Sequence, residues 1–448
     1  MRSPARFAVA LGAVTAIVLA GCASTVAGRA QPAASAVAPS SEPQVPASSL
    51  PSATSATGST AARTSMAPST ESTSASAPQT SGGPGPTGSG TTSGSSGASS
   101  TAYPTTPAQL IKTPRTATQA ALLEGARIAS YLVVPTFIDP TLTKGSISTM
   151  PLYGPKAMTI LFGADVMPSV AQRAGMISGF SSSRSDADNN NLIVAAIEFP
   201  SAASAKAAAP LLAAAAANKG KDKGKANIPG FPAAVGWYGA FSSDYGYYQA
   251  FLAQGALVLY VWVTGPKLNT PTLQAARAAR AFQVETAAMA KFVPTPPAKL
   301  MQLPIDPDGM EAHTLLNSAD DASATDGVVT AAGQLHYDTD PVGTQQLFAR
   351  AGVDLVSDGR TSVYRAKDAA GAVAVRDGFV AFVEKSTSGM TPYTLTADVP
   401  AVSCLQQALN SKYYCVGVAG RYAFEINADS VADLNAAAAA QYAMLQGF

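Results

Sequence analysis

Two histidines, three cysteines and two tryptophans are all that 448 residues hold of those side chains. Charge is equally scarce: charged residues make up 13% of the chain, and the formal net charge is +1. Each scarcity excludes something. A near-neutral chain has no general electrostatic footing for nucleic acid. His313 and His336 form neither H-E-x-x-H nor an i, i+4 pair with a second ligand, so no zinc site is expected. No G-x-S-x-G elbow occurs, so the local signature of an α/β-hydrolase is missing, although a triad assembled from distant segments leaves no such mark. No C-x-x-C pair offers a dithiol redox centre.

What is present begins at the N-terminus. Arg2 and Arg6 precede an apolar run over residues 7–20, which ends in Leu19-Ala20-Gly21-Cys22. The run is short for a bilayer span, which needs about 20 apolar residues. A basic start, an apolar middle, small residues and then a cysteine make a lipoprotein signal peptide. Cys22 is the expected lipidation site, because its thiol is the nucleophile that carries a thioether-linked diacylglyceryl group. Each buried methylene contributes about 0.8 kcal/mol, and two or three acyl chains anchor stably where one does not. The expected address is therefore the outer face of the cytoplasmic membrane, with the membrane as first partner and the protein reaching into the cell wall.

Residues 22–102 read as a tether. Ser, Thr, Ala, Pro and Gly dominate, and between residues 30 and 100 only Glu42, Arg63 and Glu71 are charged. Such a segment cannot bury enough surface to offset chain entropy. A coil of about 70 residues has an end-to-end distance of about 45–50 Å. Gly83-Pro84-Gly85-Pro86-Thr87-Gly88 matches G-x-G-x-x-G but follows no strand and opens no helix, so it is not read as a nucleotide site. Cys404 and Cys415 remain after Cys22. In a compartment where disulfides persist, they are expected to pair.

The folded part divides into residues 103–296 and 297–448. A helix is expected over 119–132. A repeat follows, with its copies about 170 residues apart. Arg173-Ala174-Gly175 and Arg350-Ala351-Gly352 each close a helix with glycine. Polar loops come next, over 181–191 and 357–361. Strands 192–199 and 362–366 follow, then small-residue helices 201–217 and 368–384. Hairpins 247–264 and 413–426 precede the closing helices 272–292 and 430–445. This α-β-α-β-β-α order predicts an α+β fold of two tandem ferredoxin-like, split-βαβ units. Each would be an antiparallel sheet with helices on one face. The Pro-rich stretch 294–308 links them.

The lipobox, the following Ala23-Ser24-Thr25-Val26-Ala27-Gly28, the Ser/Thr/Pro tether, Ser362-Val363-Tyr364-Arg365-Ala366 and a late cysteine pair are together familiar. The chain resembles uncharacterised cell-envelope lipoproteins of mycobacteria and related actinobacteria. That resemblance implies an address and no activity.

Chemistry-bearing candidates are few. Asp186, Asp188 and Asn190 occupy positions 1, 3 and 5 of a calcium-type loop. Position 6 is Asn191 rather than Gly, and position 12 is Ile197 rather than Glu, so the segment reads as a polar loop and no metal is expected. His336, between Leu335 and Tyr337, reads as a solvent-facing strand residue. Lys219, Lys221, Lys223 and Lys225 read as an exposed loop whose glycines give them no fixed geometry. Trp237, Tyr238, Phe241, Tyr245, Tyr247, Tyr248, Tyr260 and Trp262 make the first hairpin the aromatic centre of the chain. Trp237, Tyr238, Tyr247, Tyr248, Tyr260 and Trp262 are the candidate ligand-contacting residues. No catalytic residue and no cofactor is assigned. The expected function is non-catalytic binding or scaffolding in the envelope, toward a wall glycan, lipid or envelope protein. A hydrolase or transferase acting on wall lipid or glycan, and an accessory subunit of an envelope transport complex, are the alternatives.

Overall fold

Among the described residues, a hydroxyl or carboxylate stands at the N-cap of each of the six longest helices, accepting a backbone N–H from the first turn. Thr116 caps α1 (Ala117–Ala129). Helix α2 (Pro135–Ile138), strands β1 (Lys144–Gly145) and β2 (Met150–Pro151), and helices α3 (Met158–Phe162) and α4 (Val166–Arg173) are short. Strands β3 (Ser178–Ser185) and β4 (Asn191–Glu198) lead to α5 (Ala202–Ala216), capped by Ser201. Then come β5 (Asp222–Lys225), β6 (Val235–Ala240), β7 (Gly246–Gln254), β8 (Leu257–Gly265) and α6 (Pro271–Met289), capped by Thr270. The second half runs β9 (Gly327–Thr330), α7 (Ala331–Gln334), α8 (Pro341–Ala351), β10 (Leu355–Asp358), β11 (Ser362–Arg365) and α9 (Ala369–Ser386). It ends with β12 (Thr391–Tyr393), β13 (Ser403–Gln407), β14 (Lys412–Ala419), β15 (Tyr422–Ala428) and α10 (Val431–Leu445). Asp340, Asp368 and Ser430 cap α8, α9 and α10. This computed structural model describes residues 103–145, 148–162, 166–217, 221–266, 270–317 and 327–448. The expected signal peptide and tether, with Cys22, and Lys219 lie outside the described residues.

Two antiparallel sheets result. The first has eight strands in the order β1-β3-β4-β8-β7-β6-β5, with β2 also on β3. The second has seven, in the order β12-β13-β14-β15-β11-β10-β9. Reading β3-β4-β8-β7-β6-β5 against β10-β11-β15-β14-β13-β12, the two orders coincide, and each inner pair is followed by the same helix. The α+β class with two tandem antiparallel units therefore holds.

The unit is larger than the expected split βαβ. Residues 181–191 are a loop only in part: Ser181 to Ser185 belong to β3, and the second polar stretch likewise contributes to β10. The serines are tolerated because their hydroxyls find distant partners. Ser178 Oγ donates to the Ala121 carbonyl and Ser181 Oγ to the Ser148 carbonyl. Helices also cover both faces, not one. In the first sheet Leu192, Val194 and Ala196 pack with Ala278 and Phe282 of α6, while Ala195 and Ile197 pack with Ala208 and Leu212 of α5. The second sheet repeats this, with α8 and α9 on one face and α10 on the other.

The halves are interleaved. Val134 and Phe137 enter the core of the second half, while Ile138 enters that of the first. Tyr103, ahead of the first sheet in sequence, packs on the second: its hydroxyl donates to Asp433, which also pairs with Arg360.

Cys404 and Cys415 form a disulfide between directly opposed residues of β13 and β14, with Cα atoms 4.1 Å apart. Reduction should lower unfolding stability by about 2–3 kcal/mol, as expected from closing so short a loop. Denaturant midpoints with and without reductant measure this. Free thiols at both positions under non-reducing alkylation would contradict it.

Candidate functional site

Strand register places the aromatic side chains of the first sheet. Residues paired across strands point to the same face. One row on the α5 side reads Ser183–Ile193–Trp262–Gln249–Trp237. The next reads Asn191–Thr264–Tyr247–Gly239–Asp222. The C-terminal turn of α5 ends over the first row. Trp237 Nε1 donates to the Ala213 carbonyl and Gln249 Nε2 to the Ala216 carbonyl, both at 2.9 Å. These are carbonyls the helix cannot satisfy internally.

Beyond that turn the sheet is only partly covered. The Tyr247 and Trp262 rings stack at 5.3 Å and 5°. Phe241, on the loop after β6, lies 4.8 Å from Tyr247 and 6.2 Å from Trp262. It is 41% exposed. Gly239 makes this arrangement possible: a β-carbon there would sit 2.5 Å from the Tyr247 ring. The ring lies across β6, and its hydroxyl donates to Asp222 Oδ1 at 2.5 Å. Burial raises the Tyr247 phenol above its ordinary range, and Asp222 raises it further. The result is an aromatic shelf with half-buried Trp262 and exposed Phe241 at its surface.

The six candidate aromatics thus divide. Trp237, Tyr247, Tyr260 and Trp262 share the α5 face; Tyr238 and Tyr248 stack on the opposite one. Tyr247, Tyr248 and Tyr260 are buried. Tyr260 packs against Phe162 and Phe251, and Tyr248 donates to the Asn227 carbonyl at 2.6 Å. Phe241 belongs to the aromatic centre read from the sequence but is not one of the six candidates; the structure places it on the loop after β6. Its signal is the run of aromatics from Trp237 to Tyr248.

The lysine segment differs from the expected shapeless loop. Asp222 to Lys225 form the edge strand β5, with a bulge between Asp222 and Gly224. Lys221 Nζ lies 4.6 Å from the centre of the Phe241 ring. The Asp186 loop is closed on itself, its carboxylate accepting from Asp188 N, Asn190 N and Asn190 Nδ2. Among the described residues no group of three or more metal-ligating side chains forms. His313 is stacked on Phe448 at 3.6 Å.

His336 is neither in a strand nor exposed. It follows α7 and is 2% exposed between the two halves. Its Nε2 lies 2.9 Å from the Ala129 carbonyl and its Nδ1 2.8 Å from Ser182 Oγ. A carbonyl only accepts, so Nε2 carries the proton and Nδ1 accepts from the serine. Burial pushes this imidazole down to about 4, so it is neutral at physiological pH. Beside it Arg184 of β3, 1% exposed, donates through Nη2 to the carbonyls of Leu335, His336 and Asp338. Burial raises Asp338 to about 6, against the pull of Thr344, Asp340 N–H and Arg184. Further in, burial raises Glu425 to about 8 although Tyr364 donates to it at 2.6 Å. A serine and a histidine are thus at nucleophile–base distance, but both are enclosed.

A second carboxylate pair joins α1 to the end of β4. Glu124 accepts from Arg127 and from the N–H and hydroxyl of Thr295. Its neighbour Glu198 is raised to about 8 by burial first and by Glu124 second. Both are buried.

These groups set a pH dependence. Glu198 and Glu425 hold their protons more tightly folded than unfolded. Their contribution is complete below about 4.5 and is lost as pH rises through about 8. His336 works oppositely: its contribution is complete above 6.5 and is lost as pH falls toward about 4. Between pH 6.5 and 8.5 the carboxylates dominate, and stability should fall by up to about 1.4 kcal/mol per pH unit for each group. Thermal midpoints across that range test this, and Glu425→Gln should flatten the slope. A midpoint that stays constant would contradict the assignment.

No curated protein matches the chain. Among solved structures, the crystal structure of the extracellular domain of PknH from Mycobacterium tuberculosis is similar at 13% identity and a TM-score of 0.24. That match covers 36% of this chain and 95% of that one. Among the described residues no helix is long and apolar enough to cross a membrane. Residues 111–305 match the N-terminal model of a domain of unknown function (DUF7373), and residues 307–447 match its C-terminal model. Together the two matches span well over half of the chain, one over each sheet, and the chain belongs to the DUF7373 family.

Proposed function

We propose that this is a lipid-anchored envelope protein whose folded part binds an envelope component without transforming it. The anchor is Cys22, and the tether carries the two sheets from the outer face of the cytoplasmic membrane into the wall. The observation that carries the binding reading is the shelf formed by Trp262, Tyr247 and Phe241 at a partly covered end of the first sheet. Aromatic faces offer large contact area at little entropic cost. The groups with acid–base chemistry, by contrast, are enclosed and engaged in holding elements together.

A hydrolase or transferase is the second reading, and the Ser182–His336 contact is what favours it. It requires the two halves to part, because both side chains lie between them. The readings separate cleanly. Under the binding reading, Phe241→Ser weakens association with an isolated cell-wall fraction about tenfold, the order expected for one aromatic contact, and His336→Gln has no such effect. Under the enzymatic reading His336→Gln abolishes a turnover that Phe241→Ser leaves intact. Cys22→Ser should move the protein from the membrane pellet to the soluble fraction. Continued membrane partitioning would remove the lipid anchor from the account.

A further inference from the structure

We propose that the shelf and the adjoining edge strand take an acidic polysaccharide lying along β5. This rests on the binding reading above and adds the chemistry of the ligand. Three observations carry it. The first is position. Lys225 pairs with Trp237 and Asp222 with Gly239, so β5 borders the same rows that hold Trp262 and Tyr247. The second is charge. Lys221, Lys223 and Lys225 are all exposed, and none forms an ion pair among the described residues. At about 3.3 Å per residue they extend over about 13 Å, the reach of a chain rather than of one small anion. The third is contact between the two chemistries. Lys221 Nζ stands 4.6 Å from the Phe241 ring centre, so cation and aromatic face meet in one place.

A sugar ring presents an apolar C–H face and a polar rim. The face suits Trp262 and Phe241, and carboxylate or phosphate substituents suit the lysines. The carboxylate within the shelf, Asp222, accepts the Tyr247 hydroxyl, and its single negative charge is outnumbered by the three exposed lysines beside it. Lysines on an edge strand also discourage pairing with another strand. That role does not require one of them to sit over an aromatic ring. An anionic bilayer would use the same charges, but it favours side chains that project from the surface. Here Trp262 is half-buried, and Tyr247, beneath Phe241, is buried. A polymer laid across the shelf reaches the half-buried Trp262 ring where an interface plane does not.

The test uses the full mature chain carrying Cys22→Ser, run by affinity electrophoresis. The gels hold polygalacturonate, its fully methyl-esterified neutral form, or wall teichoic acid, and a parallel assay uses phosphatidylcholine–phosphatidylglycerol vesicles. Retardation by at least one acidic polymer is expected, weakening as salt rises. The variant Lys221→Gln/Lys223→Gln/Lys225→Gln should bind the acidic polymer about tenfold more weakly, the sum of three exposed charges. Phe241→Ser should weaken binding to both charged and neutral polymers. All four positions are exposed, so these variants keep the fold, which the thermal midpoint verifies. Equal binding by wild type and the lysine variant, or vesicle binding as strong as polymer binding, overturns the acidic-polysaccharide assignment. If Phe241→Ser still weakens association with the cell-wall fraction in that case, the broader binding reading survives. If Phe241→Ser changes nothing, both fall.

Discussion

The Arg184 guanidinium is the constraint on which the joining of the two halves depends. It is a full charge removed from water, on the outer part of the first sheet, and it is compensated by the second half of the chain. Three carbonyl contacts, from Leu335, His336 and Asp338, fix the segment between α7 and α8. His336 and Ser182 then complete the seam from the same strand. An uncompensated buried charge costs several kcal/mol, so Arg184 can stay buried only where the second half supplies its carbonyl acceptors. The two sheets belong to one unit, and Val134 and Phe137 add an apolar tie by entering the second core.

The internal repeat shows how one topology was adapted to two tasks. Ala195 and Ser362 each lie six residues before a helix N-cap, at Ser201 and Asp368. Their cross-strand partners are Tyr260 in the first sheet and Glu425 in the second. At equivalent positions, then, one half places a phenol ring in an aromatic cluster with Phe162 and Phe251, and the other a carboxylate under Tyr364. Two residues on, Trp262 faces the shelf while its counterpart is Asn427. The first half kept stacking surface at the open end of its sheet. The second has a buried hydrogen bond within its own sheet in the corresponding region, from Tyr364 to Glu425.

Much of this order was legible in the sequence, and the failures have a common cause. Helix ends were readable because their signals are local: the helices expected from Ser201, Asp368 and Ser430 begin one residue after each of them, and Gly175 and Gly352 follow helix ends as expected. The hairpins were readable from alternation, which correctly paired Tyr260 with Trp262 on one face and set Tyr248 on the other. Strand β3 was not, because Ser181 to Ser185 have the composition of a loop. Their burial depends on acceptors at Ser148 and His336, and no window of neighbouring residues contains those. His336 failed for the same reason: its surroundings come from α1 and β3. Strands β5 and β12 are short and lie at edges, where Gly, Lys and Pro are tolerated because one side of the strand makes no ladder bonds.

The scarcity of charge gives the surface its meaning. A chain with 13% charged residues cannot scatter them freely over two sheets. Several are consumed inside: Arg184, Glu124, Glu198, Glu285, Asp338 and Glu425 are all buried. Others are engaged in pairs, such as Arg277 with Asp139 and Arg365 with Asp308 and Asp354. Against that background three exposed lysines within five residues are a concentration of charge, and they border the shelf that presents Phe241 and Trp262. The interior tolerates ionisable groups where they tie one element to another. At the surface, Lys221, Lys223 and Lys225 are exposed within five residues, and Lys221 stands over the exposed Phe241 ring.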